Sequence, residues 1–122
     1  MTKLLVADDS ETVLLMLQRR LEMAGYDVVT ATDGQEVLEE LAGDGDPPDM
    51  ILLDAMMPRL SGIDALKRLR ADGHEMPVLI ISAHLDAQEP ERMLAIGANG
   101  SVPKPFEWDH LIGRIEELVG ES

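Results

Sequence analysis

The chain has 122 residues, enough for one domain with its own apolar core and no need of disulfides or a structural metal. It contains no cysteine, which excludes thiol nucleophiles, zinc–thiolate sites and a disulfide framework, and fits a reducing compartment. Its 24 acidic and 10 basic residues give a net charge of −14, which repels phosphate backbones and anionic lipids, so no direct nucleic-acid partner and no membrane are expected.

The opening MTKLLVADD is not a secretion signal, because its apolar run is short and then turns acidic; a cytoplasmic location is expected. Lys3 to Ala7 reads as a first apolar strand running into Asp8-Asp9. Ser10 caps a helix carrying Leu14, Leu15, Leu17 and Leu21 at helical spacing, and Gly25 stops it. Val28 to Ala31 is a second strand, and Asp33 with Glu36 predicts a capping box for a helix ending near Gly43. The turn cluster GDGDPP leads into Met50 to Leu53, a run that reads as a strand buried on both faces. That run stops on Asp54. A carboxylate cannot sit unpaired in such a core, so Asp54 is expected where the strand surfaces at its carboxyl end.

Ser61 caps a third helix, with Ile63, Leu66, Leu69 and Arg70 spaced helically up to Gly73. Pro77 to Ser82 is a fourth strand, and a weaker helix runs from Glu89 to Ile96. A short strand, Ser101 to Lys104, precedes Pro105, and a last helix from about Glu107 to Val119 packs through Leu111, Ile115 and Leu118. The acids Glu39, Glu40, Glu116 and Glu117 read as solvated faces, His74 and His110 as solvated, and the eight methionines as core and gap filling. Five strand–helix pairs with short connections predict an α/β fold. The expected form is a five-stranded parallel sheet of order 2-1-3-4-5, flavodoxin-like, helices on both faces, with residues 1–122 as a single domain.

Four of the five strands end on residues able to do chemistry: Asp8-Asp9, Asp54, Ser82 and Lys104. Right-handed crossovers bring those ends to one edge of the sheet. Three carboxylates gathered there repel unless a cation joins them, and an all-oxygen donor set suits Mg²⁺. A divalent ion, an ammonium and a hydroxyl around one carboxylate make a place for a phosphoryl group, which Asp54 could attack in line. The small Ala83 leaves room for it. Read singly, Asp8-Asp9 is favourable charge at a helix N-terminus, Asp54 a loop cap, Ser82 a turn residue and Lys104 a surface lysine. Their ordered company at successive strand ends favours the chemical reading.

At this point the sequence resembles the receiver domains of two-component response regulators, over essentially the whole chain. The resemblance rests on VADDS (Val6 to Ser10), LLDAMMP (Leu52 to Pro58) with Gly62 four residues on, IISA (Ile80 to Ala83) and PKPF (Pro103 to Phe106). It implies that Asp54 is the phosphoacceptor. It also implies that Asp9, Asp54 and the backbone carbonyl of Met56 are Mg²⁺ ligands, with Asp8 acting mainly through water. Ser82 is similar to the hydroxyl residue that binds the phosphoryl group and shifts on activation, and Lys104 to the lysine that pairs with it; the Lys104–Pro105 bond would be cis. The implied partners are a histidine kinase or phosphotransfer protein and a downstream protein or covalently linked output domain. The only catalysis implied is of the domain's own phosphorylation and dephosphorylation, so it is not an enzyme in the ordinary sense. His84 and Met56 would flank the phosphoryl group and influence its lifetime.

Ser101 stands where the family usually carries a Tyr or Phe that rotates on activation, and this bears on the coupling from site to output surface. A pseudo-receiver that signals without phosphate is the alternative. A flavodoxin-like nucleotide binder would need a Gly-rich first loop where Asp8-Asp9-Ser10-Glu11 is acidic. A phosphatase with an aspartyl nucleophile would need a second acid where Met56 stands.

Overall fold

The structure is a computed structural model describing residues 2–83 and 88–120. Its elements in chain order are β1 (Lys3–Ala7), α1 (Glu11–Met23), β2 (Asp27–Ala31), α2 (Gly34–Ala42), β3 (Met50–Asp54), α3 (Gly62–Ala71), β4 (Val78–Ser82), α4 (Glu89–Ala95), β5 (Gly100–Pro103) and α5 (Trp108–Val119). The five strands form one parallel sheet in the order β2-β1-β3-β4-β5. The flavodoxin-like arrangement expected from the alternation of elements is the one observed.

Period-two alternation divides the buried residues between the faces of the sheet. Leu4, Val6, Met50, Leu52, Leu79, Ile81 and Val102 pack with Leu14, Leu17 and Leu21 of α1 and Leu111 and Ile115 of α5. Leu5, Ala7, Ile51, Leu53, Val78 and Ile80 face the other way, onto Val37 of α2, Leu66 and Leu69 of α3 and Met93 of α4. β3 and β4 are therefore buried along their whole length.

The caps are side-chain oxygens accepting from the first free amides. Ser10 Oγ accepts from Val13 N at 3.3 Å, Asp33 Oδ1 from Glu36 N at 2.8 Å, and Ser61 Oγ from Asp64 N at 3.1 Å. The expected capping box at Asp33 forms only in half: Glu36 Oε1 accepts from Thr32 N at 2.6 Å and Thr32 Oγ at 2.8 Å, one residue beyond the cap. Gly97, at φ 109, turns the chain out of α4 in a conformation that side-chain-bearing residues rarely adopt. Arg70, near the end of α3, fixes that turn. Its Nε donates to Gly97 O at 3.0 Å, Nη1 to His74 O at 2.9 Å and Nη2 to Asn99 Oδ1 at 3.1 Å.

Several expectations need correction. Leu15 is half exposed, because the buried stripe of α1 runs through Leu14, Leu17 and Leu21 and leaves position 15 to one side. Lys104 lies just past β5, which ends at Pro103. Of the methionines, Met50, Met57 and Met93 are buried, but Met16, Met23 and Met56 are exposed, off the apolar stripe of α1 or on the loop after β3. Glu39, Glu40, Glu116, Glu117 and His110 are exposed as expected, whereas His74 is half-buried. Among the described residues no helix is long and apolar enough to cross a membrane.

Candidate functional site

Strand register assembles the site. Ala7 pairs with Leu53, so Asp8 follows at the level of Asp54; Asp54 pairs with Ile81, and Ser82 with Pro103, so Lys104 comes next. Asp8, Asp54 and Ser82 are buried at the carboxyl edge of the sheet, while Asp9 is exposed. Two backbone bonds lock the edge further: Asp8 N donates to Ala31 O at 3.1 Å and Lys104 N to Ser82 O at 2.8 Å. The Lys104–Pro105 peptide is cis, as the resemblance implied.

Lys104 is the charge at the centre. Its Nζ donates to Asp8 Oδ2 at 2.9 Å and to Asp54 Oδ2 at 3.2 Å. Asp54 Oδ1 accepts from Met56 N at 3.4 Å, and Asp8 Oδ1 from Ser10 N at 2.9 Å. Asp8 thus accepts from the start of α1 through one oxygen and from the Lys104 ammonium through the other. Burial raises the Asp54 carboxyl above the ordinary Asp range, and the Asp8 charge adds to this against the pull of Lys104. For Lys104, burial acts to lower the ammonium. The hydrogen bond to Asp8 and the charges of both carboxylates outweigh that, and the group is raised.

Asp8, Asp9 and Asp54 each offer a carboxylate oxygen, all within 4.8 Å of one another. Three hard oxygens so close, one of them exposed, fit a small divalent ion that keeps some of its waters. Met56, with its side chain exposed on the loop after β3, is the next residue but one. Gly62 brings α3 flush against the end of β3: its N–H donates to Ala55 O at 3.0 Å, and a Cβ placed there would meet Asp54 O at 1.9 Å.

Sequence reasoning missed Glu89. This acid opens α4, is buried, and accepts a hydrogen bond from Ser82 Oγ. A lone acid at the start of a weak helix carries no spacing signal that would single it out. Reasoning from sequence also missed the ion pair between Arg59 and buried Asp33, which joins the loop after β3 to the start of α2. Ser101 is level with Ile80, and its Oγ is buried without a hydrogen-bond partner among the described residues. His84 lies outside the described residues.

Comparison with known proteins agrees with this fold. The profile of the response regulator receiver domain matches residues 4–116. The response regulator MprA of Mycolicibacterium vanbaalenii is 38% identical over 117 residues, 96% of this chain and 50% of that protein. The alkaline phosphatase synthesis transcriptional regulatory protein PhoP of Bacillus subtilis is 37% identical over 120 residues, 98% of this chain and 49% of that protein. Among solved structures, the Francisella response regulator 1452 receiver domain superposes with TM-score 0.92 at 35% identity, covering 98% of each chain. The CheX-CheY-BeF3-Mg²⁺ complex of Borrelia burgdorferi is similar at TM-score 0.88 and 26% identity, over 95% of this chain and 87% of that one. The chain belongs to the response regulator receiver domain family. It spans about half the length of the curated relatives it matches.

Proposed function

We propose that this chain takes a phosphoryl group onto Asp54 from the phosphohistidine of a histidine kinase or phosphotransfer protein. The observation that carries the reading is Lys104 Nζ bonded to both Asp8 and Asp54 within a group of three carboxylates at the sheet edge. In the transfer, an Asp54 oxygen attacks phosphorus, the P–N bond breaks as the P–O bond forms, and the imidazole departs. Lys104 neutralises charge on the phosphoryl oxygens, and Ser82 donates its hydroxyl proton to one of them. Mg²⁺ bound by Asp9, Asp54 and the Met56 carbonyl, with Asp8 reaching it mainly through water, would supply further positive charge beside the phosphoryl group. Water attack on the acyl phosphate resets the domain.

An apolar groove of about 550 Å³ runs between α1 and the start of α5, lined by Val13, Met16, Arg20 and Trp108 and ending at Lys104. It offers the phosphate-bearing partner a surface beside the acids. A linked output domain or a separate downstream protein then reads the changed face, in the cytoplasm. Intact mass after incubation with Mg²⁺ and a small acyl-phosphate donor tests the reading. One labile phosphoryl group gained by the wild type and not by Asp54→Asn is expected. No gain, with Mg²⁺ binding measured separately, would overturn it in favour of a pseudo-receiver.

A further inference from the structure

Ser82 has one hydroxyl proton, and in this structure Glu89 holds it. Ser82 Oγ donates to Glu89 Oε1, with the two residues 6% and 8% exposed. Glu89 is the first residue of α4, and Arg92 Nη2, one turn on, stands 4.0 Å from its other oxygen. These groups line a cleft of about 400 Å³ with Ala55, Met56 and Ala83, at the ends of β3 and β4 where Asp54 lies. A hydroxyl donates one hydrogen bond at a time. A phosphoryl oxygen on Asp54 and the carboxylate of Glu89 therefore cannot both receive the Ser82 proton.

We infer that Glu89 is a positioning residue whose carboxylate competes with the phosphoryl group for the Ser82 hydroxyl, so that phosphorylation releases the first turn of α4 from β4. The inference rests on the reading of Asp54 as phosphoacceptor. It gives the site a route to the surface that needs no aromatic ring. Ser82, Ile80 and Ser101 share one face of the sheet by strand alternation and register, whereas Tyr26, Phe106 and Trp108 all pack on the other. With two mutually exclusive bonds to one proton, the element has two states, and the phosphoryl group biases one of them.

The test compares wild type, Glu89→Gln and Glu89→Ala by calorimetric titration with beryllofluoride in the presence of Mg²⁺, and by amide hydrogen exchange of α4 in the free proteins. Removing a competing hydrogen bond to a charged acceptor is expected to tighten beryllofluoride binding about tenfold in Glu89→Ala. Its free α4 should already exchange as fast as in the wild type bound to beryllofluoride. Glu89→Gln keeps an oxygen that accepts from Ser82 and should fall between the two. Equal affinities in all three, or unchanged α4 exchange in free Glu89→Ala, would overturn the inference while leaving Asp54 as phosphoacceptor. Gln matching Ala would overturn it too, because charge alone would then explain the gain. Should Ala fail to fold, amide exchange decides: α4 of free Glu89→Gln should exchange at a rate between those of free and beryllofluoride-bound wild type, and exchange as slow as in the free wild type would overturn the inference. Absence of beryllofluoride binding in the wild type, with Mg²⁺ binding intact, would bring down the underlying reading as well.

Discussion

Adding one methyl group at Gly62 should damage the site from behind. The residue opens α3, and a Cβ there would stand 1.9 Å from Asp54 O and 2.8 Å from its carbonyl carbon, with Leu53 Cγ at 3.1 Å. The nearest obstacle is backbone of the central strand, which no rotamer change can clear. Relief requires α3 and the end of β3 to part by about 1 Å, and overpacking of that kind costs roughly 2–3 kcal/mol. Against a total stability of about 5–15 kcal/mol, this is a large fraction. With a urea slope near 2 kcal/mol/M, the midpoint of Gly62→Ala should fall by about 1–1.5 M. Displacement of Asp54 by that amount should also slow phosphoryl uptake from a small donor by on the order of 100-fold. Gly113→Ala is the matched control. It sits inside α5 and, its own helix backbone aside, no atom of the described residues lies within 4 Å of its Cβ position, so the same methyl should stabilise by about 0.5–1 kcal/mol. The reasoning fails if Gly62→Ala unfolds within 0.3 M of wild type, or if both substitutions move the midpoint the same way.

Replacing Lys104 by Met should destabilise the metal-free protein by roughly 1–3 kcal/mol, since buried Asp8 and Asp54 then face each other without their shared cation; urea unfolding in EDTA reads this. Mg²⁺ at about 100 times its dissociation constant should raise the stability of the wild type by about 2.7 kcal/mol, and EDTA should abolish the gain. Asp54→Asn should show a smaller magnesium shift in the same urea unfolding. Acid should act through Asp33, whose carboxyl is lowered by the backbone hydrogen bond from Glu36, more than offsetting burial, with Arg59 assisting. A depressed carboxyl stabilises above its unfolded value of about 3.9, and that contribution is lost as pH falls through the lower folded value. Melts of wild type and Asp33→Asn should therefore converge below about pH 4, and a constant difference down to pH 2 would count against the assignment.

The sheet and its order were legible because apolar runs of strand length alternate with helical spacing, and parallel strands need the crossovers those helices supply. Asp8, Asp54 and Lys104 were legible as a group because each stands at or just past the carboxyl end of a strand, and register does the rest. Glu89 and the Arg59–Asp33 pair were not. Each joins positions on different elements through side chains alone, and neither leaves a periodic trace. The same limit applies to Glu36, whose spacing from Asp33 announces a reciprocal cap, while its length lets it reach Thr32 instead.

The grip of Arg70 on the turn at Gly97 and Asn99 has a mechanical consequence for α4. That helix is seven residues long, about 10 Å from end to end. Its far end is anchored to α3 through the guanidinium, and Met93 is seated in the core near that anchor. Its near end meets the sheet through Glu89. A rod held this way swings instead of sliding, so a shift of about 2 Å at Glu89 becomes a tilt of roughly 10° about Gly97. Exposed Leu94, close to the pivot, would travel little, and the residues of the first turn would sweep the widest arc.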